Sequence, residues 1–290
     1  MFKLSVISDE VSQDLERVAK FAKRFNLDGI EIRTVWNMPP QDLVERSSEI
    51  RKIMSKYDLV VPCIASPFFK ADLDSEEEYK QHISILRRVI ELAKSLDTNL
   101  IRIFTFWRKG PLDEYLDRIL SKFEEPLDIV KEEGVIVAIE NEPSTHVNNG
   151  RRLAQFLDAL GNPKYVKALW DPGNDISDPE GEIPYPDGYN YVRGRIVHIH
   201  IKDAVRLALG KAEPRPVGEG DVDYVGQLKA LIEDKYEGFL SLETHWRPKK
   251  KLTEEQLVKP GGAAFSEMGE EASEVCIKNL MSLIRKAEEL

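Results

Sequence analysis

Short apolar runs alternate with longer amphipathic segments along the whole chain. The apolar runs are rich in Val, Ile and Leu, and there are eight of them, at residues 3–8, 28–33, 59–65, 99–105, 134–140, 165–171, 195–201 and 237–243. The segments between them place an apolar residue at about every third or fourth position, as in residues 14–25, 75–96 and 113–133. That spacing is helical. The pattern predicts a strand followed by a helix, eight times.

The strand-helix repeat defines the fold class. Nearly continuous apolar strands are buried on both faces, which is typical of a parallel sheet. Eight such units in a chain of this length predict an α/β protein built as one (β/α)8 TIM barrel. An open doubly wound sheet would place a glycine-rich turn after its first strand, but residues 5–14 contain no glycine. Because no linker or low-complexity tract interrupts the repeat, we expect a single domain over residues 1–290.

Composition and charge narrow the class of ligand. The 290 residues contain 41 Lys and Arg against 51 Asp and Glu, a net charge of −10. Phosphate-backbone binding needs basic patches, so a nucleic-acid partner is not expected. A small polar or metal-bridged ligand fits this charge better. Two cysteines, Cys63 and Cys276, are too few for a disulfide framework or a zinc ribbon, and we expect both to be buried thiols.

The termini and loops carry further expectations. No apolar run approaches the ~20 residues of a membrane span, and the N-terminus turns acidic too early for a signal peptide. A cytoplasmic protein without a membrane partner is therefore expected. The long polar stretch 247–271 follows the last strand. We expect it either to fold over the barrel mouth as a lid or to pack against a second copy of the chain in a homo-oligomer.

Four consecutive strands end in groups able to bind a metal. In a barrel the functional side chains lie at the carboxyl ends of the strands, and these ends carry Glu140, Asp171, His200 and Glu243. One such carboxylate is commonly a helix N-cap, but that explanation is hard to extend to four successive strands. Together they predict a mixed oxygen and nitrogen shell for one divalent ion, Mn²⁺, Mg²⁺, Co²⁺ or Zn²⁺.

The seventh run sets the orientation of its histidines. Side chains alternate between the faces of a strand, so His198, His200 and Lys202 are predicted to face the barrel interior. The intervening apolar residues are predicted to face the helices, namely Val197, Ile199 and Ile201.

These motifs also carry a family resemblance. The order IEN at 139–141, DPGN at 171–174, HIKD at 200–203 and LE at 242–243 resembles the xylose isomerase-like TIM barrels. Within them it is similar to the sugar phosphate isomerase/epimerase group, which includes D-tagatose 3-epimerase, inosose isomerase, inosose dehydratase and hydroxypyruvate isomerase. The resemblance implies that the four residues named above are metal ligands, with manganese among the candidate ions. It also implies that Glu140 and Glu243 act as acid and base.

The resemblance extends to the substrate pocket. Ketose 3-epimerases have an Arg six positions after the ligand His, where this chain has Arg206, and a His three positions after the ligand Asp, where it has Asn174. The HIKD ending and the sequence at 217–224 look more like the inositol branch. Candidate substrate contacts are Arg206 and Asn174 from this resemblance, Lys202 and His245 from their inward-facing strand positions, and Trp107 from its place near a loop at the catalytic end. For three of them a structural role stays open: Lys202 as the partner of Glu142 or Asp203, His245 as a donor to a ligand carboxylate, and Trp107 as a seal of the barrel.

The expected reaction is proton removal next to a carbonyl. A divalent ion that holds the carbonyl and the adjacent hydroxyl stabilises an enediolate, and strands five and eight place Glu140 and Glu243 on opposite walls. The sequence thus predicts an isomerase or epimerase acting on a small-molecule sugar or sugar derivative, inososes included. The alternative is an inosose dehydratase-like lyase. A barrel that only binds a sugar, or a hydrolase like endonuclease IV, is less favoured.

The remaining charged and histidine residues help to weigh these alternatives. Endonuclease IV needs several histidines on early strands, whereas strands one to four of this chain contribute none. His82 and His146 are expected at the surface or as caps, and His198 behind the ligand shell. Glu31 and Arg102 are expected on the floor of the mouth or in buried ion pairs.

Overall fold

Eight parallel strands form a closed ring at the centre of the molecule. The computed structural model describes residues 2–259 and 261–290. The ring strands are β1 (Lys3–Ile7), β2 (Gly29–Glu31), β3 (Ile64–Ala65), β4 (Leu100–Ile103), β5 (Ile136–Glu140), β6 (Val166–Trp170), β7 (Ile196–Ile201) and β10 (Phe239–Leu242). They are hydrogen-bonded in the order β2-β1-β10-β7-β6-β5-β4-β3. Parallel bridges at Gly29–Val60 and Ile32–Ile64 join β2 to the β3 segment, so the predicted (β/α)8 barrel is confirmed.

Helices surround the ring and close its ends. They are α1 (Leu15–Arg24), α2 (Ser47–Lys56), α3 (Glu76–Ser95), α4 (Leu112–Glu133), α5 (Gly150–Ala159), α6 (Pro172–Ile176), α7 (Tyr189–Val192), α8 (Tyr224–Glu233), α9 (Glu254–Val258), α10 (Ala263–Ser266) and α11 (Gly269–Glu288). The three helices predicted from apolar spacing match α1, α3 and α4. Side chains of Asp14, Ser75 and Asn149 cap the first turns of α1, α3 and α5, which satisfies amide donors that have no partner inside the helix.

The third apolar run forms a much shorter strand than its composition predicts. Only Ile64 and Ala65 are in β3, with a single bridge further upstream at Val60. Pro62 lies between the two points, and because proline has no backbone N–H it interrupts a strand ladder.

The barrel interior has an apolar layer and a charged layer. Cys63, Leu100, Ala138 and Leu169 form a small buried cluster that is separate from the main core. Val197 packs against this cluster, so its predicted orientation toward the helices is wrong. The physical reason is a bulge: the register between β6 and β7 shifts where Ala168 pairs with Ile196 and Leu169 with His198. Ile199 and Ile201 do join the outer core, and both cysteines are buried as free thiols.

An antiparallel hairpin that the sequence pattern did not predict follows β7. Its strands are β8 (Asp203–Ala208) and β9 (Lys211–Arg215), which pair through Ala208 and Lys211 across a two-residue turn. Gly210 in that turn has φ +74°, a conformation that glycine adopts readily. A glycine in the second position of a two-residue turn, immediately before an extended run, is a hairpin signal.

The base of the hairpin is held by one carboxylate. Asp203 accepts hydrogen bonds from the backbone N–H groups of Ala204, Gly218, Gly220 and Val222. These bonds fix the glycine-containing loop at 217–222 against the end of β7.

The stretch after β10 lies across the mouth of its own barrel. The Lys70 ammonium donates to the carbonyl of Val258 at 2.8 Å. The Gly262 amide and the Ser266 hydroxyl both donate to Asp9, at 2.8 and 2.9 Å. This is the arrangement expected of a lid, whereas contacts with a second copy of the chain stay a prediction. Among the described helices, none is both long and apolar enough to cross a membrane.

Candidate metal centre

Four potential ligand residues meet at the carboxyl end of the barrel. Glu140 ends β5, Asp171 follows β6, His200 lies in β7 and Glu243 follows β10. One nitrogen or oxygen atom from each lies within 4.8 Å of all the others, and no residue of the four is more than 2% exposed. His200 Nδ1 is 3.3 Å from Glu140 Oε1 and 3.5 Å from Glu243 Oε2. The structure therefore brings together the whole predicted set, which we call the quartet.

Each carboxylate of the quartet has a nearby cation. Arg102 donates to Glu140 at 3.1 Å, and Arg33 pairs with Glu243. The Lys202 ammonium lies 2.8 Å from Asp171 Oδ2 and 2.7 Å from Glu243 Oε2. These pairs offset the cost of burying several like charges in one place.

The local charges shift the acidities in different directions. Burial raises the pKa of a carboxyl group, but His200 and Arg102 outweigh it and lower the pKa of Glu140 to about 2. Burial is likewise outweighed at Glu243, where Lys202 and His245 hold the pKa well below its usual range. At Asp171 burial prevails over Lys202 and, with Glu243 and Glu140 nearby, raises the pKa to about 7.

A carboxylate outside the quartet orients the imidazole of His200. Glu31 lies 3.1 Å from His200 Nε2 and 2.8 Å from His198 Nε2. Burial lowers the pKa of the His200 imidazole, but Glu31 and Glu140 outweigh it and raise that pKa well above its usual range. A divalent ion held by the quartet would replace the proton on Nδ1, while Glu31 keeps the proton on Nε2, the usual support for a metal-binding histidine. His198 is buried and lies behind His200, where the sequence predicts it, and Glu31 and Arg102 are both in buried ion pairs.

Asp171 caps a helix and also faces the quartet. The sequence presents the helix cap and the metal ligand as alternative roles. Its Oδ1 accepts from the amide of Asn174 at 3.1 Å and so caps α6. Its Oδ2 is buried and lies 2.8 Å from the Lys202 ammonium. Three carboxylates and one imidazole, buried close together, are a donor set that fits a hard or borderline divalent cation.

A cavity of about 510 Å³ lies next to the quartet. Asn174, Lys202 and His245 line its inner end. Asn174 donates to Glu140 Oε1 at 3.1 Å, and His245 Nε2 lies 3.3 Å from Glu243 Oε1. Residues at the inner end of the cavity therefore contact three members of the quartet, and Lys202 pairs with quartet carboxylates rather than with Glu142 or Asp203.

Comparison with known proteins places the chain in a family. Residues 19–265 match the model of the xylose isomerase-like TIM barrel. The chain belongs to this family. An uncharacterized protein of Methanocaldococcus jannaschii is 21% identical over 255 residues, which are 83% of this chain and 81% of that protein.

Solved structures of this barrel family superpose on nearly the full chain. The IOLI protein with a bound zinc atom matches with TM-score 0.75 and 18% identity, over 99% of both chains. The 3-keto-D-glucoside 4-epimerase of E. coli matches with TM-score 0.69 and 14% identity, over 98% of this chain and 99% of that one. A Methylomonas D-allulose 3-epimerase in complex with D-allulose matches with TM-score 0.68 and 15% identity, over 96% of this chain and 97% of that one. At these identities the likeness is one of fold.

Two predicted substrate contacts lie outside the cavity lining of this xylose isomerase-like barrel. The Arg206 guanidinium donates to backbone carbonyls of Asp175, Ile176, Gly181 and Glu182, so the hairpin turns it toward the loop after α6. The amide of Trp107 donates to the carbonyl of Ala71 at 2.9 Å, and its ring faces the Lys70 ammonium. Arg206 is thus engaged in structural hydrogen bonds, and Trp107 fits the alternative of a seal.

Several charged residues around the quartet were not predicted. Arg33 is buried and donates to Asp9 and Glu10 at 2.7 Å each, in addition to Glu243. Arg247 also donates to Glu10, at 3.0 Å. Asp9, Glu10 and Arg33 lie two or three positions after the first two strands, so the rule that identified Glu140 would have found them as well.

Two histidines are buried, so the surface location, one of the two alternatives predicted for them, is wrong. His82 is 8% exposed and His146 is fully buried, so neither is a surface residue. The Nδ1 of His82 accepts from the amide of Phe69 at 2.8 Å, and the ring of His146 packs 4.6 Å from that of Tyr115. Aromatic packing outside the barrel explains their burial.

Proposed function

We propose that this protein is a divalent-metal-dependent isomerase or epimerase of a sugar or sugar-derived ketose, inososes included. The observation that carries the proposal is the buried quartet at the carboxyl end of the barrel, with one ligand atom from each residue within 4.8 Å of the other three. Epimerases of known structure share the fold, and one neighbour holds zinc. These likenesses support the proposal.

The donor set suits the chemistry. Glu140, Asp171, His200 and Glu243 would hold the ion, which would polarise a substrate carbonyl and make the proton on the next carbon more acidic. Oxygen-rich shells with one imidazole are compatible with several divalent cations. The proposal therefore names the residues that would bind the ion, and the identity of the ion is a question for measurement.

Glu140 and Glu243 are the proposed acid and base. They come from β5 and from the end of β10, which β6 and β7 separate in the ring, and this separation supports placing them on opposite sides of a bound ketose. One carboxylate removes the proton from one face, and the other returns a proton to the opposite face or to the neighbouring carbon. Arg102 holds Glu140 and Arg33 holds Glu243, which keeps each carboxylate in place during the transfer.

Metal content tests the site directly. We expect one equivalent of divalent metal in the wild type and less than a tenth of that in the Asp171→Ala, His200→Ala double variant, because two of four ligand atoms are removed. Mass spectrometry of the folded proteins, checked by circular dichroism, measures this. The His146→Ala variant is the matched control, since it removes a buried histidine that belongs to none of the groups of described residues able to hold a metal. Equal metal content in the double variant and the wild type would contradict the site.

Solvent isotope exchange tests the reaction. In D₂O with a panel of ketoses and inososes, the metal-loaded enzyme should introduce deuterium at the carbon next to the carbonyl of its substrate. The Glu243→Gln variant should lose turnover by about 10²–10⁴, the contribution of a positioned general acid or base. Nuclear magnetic resonance of the product measures both the deuterium content and the rate of product formation. Product without solvent deuterium would reject the proton-transfer mechanism, and loss of water would identify a dehydratase instead.

A further inference from the structure

The cavity beside the quartet changes character along its length. Its inner end is polar, with Asn174, Lys202 and His245. Its outer wall is built from the hairpin and from α9, and its apolar members are Leu207, Ala212, Pro214, Leu257 and Val258. A ligand that reaches the quartet through this cavity therefore meets hydroxyl-binding groups at one end and hydrocarbon at the other.

The cavity is larger than one sugar ring requires. A six-carbon sugar has twelve non-hydrogen atoms, and each takes less than the ~30 Å³ of a free water molecule. The ring then fills less than about 360 Å³ of the 510 Å³ cavity. The outer part remains for a second portion of the ligand.

Two large apolar side chains are exposed where they line this outer part. Leu207 is 63% exposed and Val258 is 39% exposed, on two separate elements that border one cavity. A lone exposed leucine is ordinary, but apolar side chains that converge on a pocket with a few polar groups are typical of ligand sites. Covering them with hydrocarbon releases water and favours binding.

The same wall is a poor match for a second sugar ring. Hydroxyl groups buried without hydrogen-bond partners lower affinity, and the side chains of Leu207, Pro214 and Val258 offer none. Arg108 and Lys211 also reach the cavity. Both are cations that interact favourably with the face of an aromatic ring, so an aryl group would suit them as well as the apolar side chains.

We propose that the substrate is a sugar or keto sugar joined to an apolar, preferably aromatic, group, and that Leu207 and α9 bind that group. This inference rests on the proposed function, because the quartet defines the end of the cavity where the sugar lies. In this arrangement the hairpin selects the substrate, and residues at the end of the barrel carry out the reaction.

Phenyl and methyl glycosides of glucose, galactose and mannose are suitable probes. We expect the manganese-loaded wild type to bind the phenyl member of at least one pair ten or more times more tightly than the methyl member, by isothermal titration calorimetry. In Leu207→Ser that preference should fall below threefold. Leu209→Ser is the matched control, since Leu209 is 65% exposed on the same hairpin but lies outside the cavity lining, and it should keep the wild-type preference.

Each other outcome overturns the inference. Equal binding within every pair, or no binding of any pair by the metal-loaded wild type, excludes an apolar subsite. Equal losses in Leu207→Ser and Leu209→Ser indicate a general effect on the hairpin. A change of oligomeric state in Leu207→Ser alone, seen by light scattering, assigns the patch to a contact between copies. Metal content measured on the same samples keeps the two proposals apart, because an intact metal site with no phenyl preference overturns only this one.

Discussion

At the scale of single residues, the site consists of buried charges that are compensated in pairs. Arg102 with Glu140 and Arg33 with Glu243 hold the proposed acid and base, while Glu31 fixes the ring of His200. Removing one partner of such a pair leaves the other charge buried and uncompensated, which costs far more than an exposed pair is worth. A buried group that is neutral in the folded protein meets the same cost when it is protonated, because protonation creates a buried charge without a partner.

His82 is such a group and leads to a prediction on pH. Burial lowers its pKa to about 4 despite the nearby carboxylate of Glu78, whereas the unfolded chain has an ordinary histidine near 6.5. The unfolded state therefore binds a proton that the folded state refuses between pH 6.5 and 4, so stability falls as the pH falls through this window. The loss attributable to His82 is up to about 3 kcal/mol.

The His82→Gln variant isolates this effect. Its amide oxygen can accept the hydrogen bond from Phe69, and the side chain does not titrate. Urea unfolding at pH 7 and pH 4.5 should show a smaller decrease in the free energy of unfolding for the variant than for the wild type. Identical decreases would mean that His82 does not resist protonation. Other acidic groups titrate equally in both proteins and cancel in the comparison.

At the scale of elements, the stretch from β10 to α11 joins the mouth to the charged network. Asp9 accepts from the amide of Gly262 and also pairs with Arg33, which in turn holds Glu243. Lys70 bridges Glu142 and the carbonyl of Val258. The covering stretch is thus anchored on two sides to residues that adjoin the quartet.

Two adjacent glycines allow this anchoring to be tested. Gly261 and Gly262 have φ values of +136° and +139°, so alanine is strained at either position, at a cost of about 1–3 kcal/mol. A Cβ on Gly261 would also lie 2.8 to 3.0 Å from atoms of Thr34, Arg33 and Asp9, whereas no described atom lies within 4 Å of a Cβ on Gly262. Gly261→Ala should therefore be the more destabilising change.

Unfolding in urea and tryptic cleavage at Lys249–Lys251 measure the difference. We expect Gly261→Ala to be cleaved faster than Gly262→Ala and to lose more of the free energy of unfolding, because only its Cβ displaces the Asp9 anchor. Gly262→Ala serves as the control for backbone strain. Equal behaviour of the two variants would show that the contacts with Thr34, Arg33 and Asp9 do not hold this stretch in place.

At the scale of the whole molecule, the repeat of strand and helix determines what the sequence can predict. Parallel strands in a closed ring bring all carboxyl ends together, so the convergence of Glu140, Asp171 and Glu243 follows from their positions alone. The orientation of Val197 does not follow, because a bulge breaks the alternation. Arg206 lies at the spacing that the resemblance implies, but the hairpin places its guanidinium on backbone carbonyls.

The hairpin also bears on how such a protein changes over evolutionary time. Its base is fixed by Asp203 and by Arg206, through bonds to backbone atoms that do not depend on neighbouring side chains. Its turn, near Leu207 and Lys211, borders the cavity and lies outside the ring of strands. Substitutions in the turn can accumulate without disturbing the quartet. New substrate preferences can therefore evolve in this loop while the barrel stays unchanged.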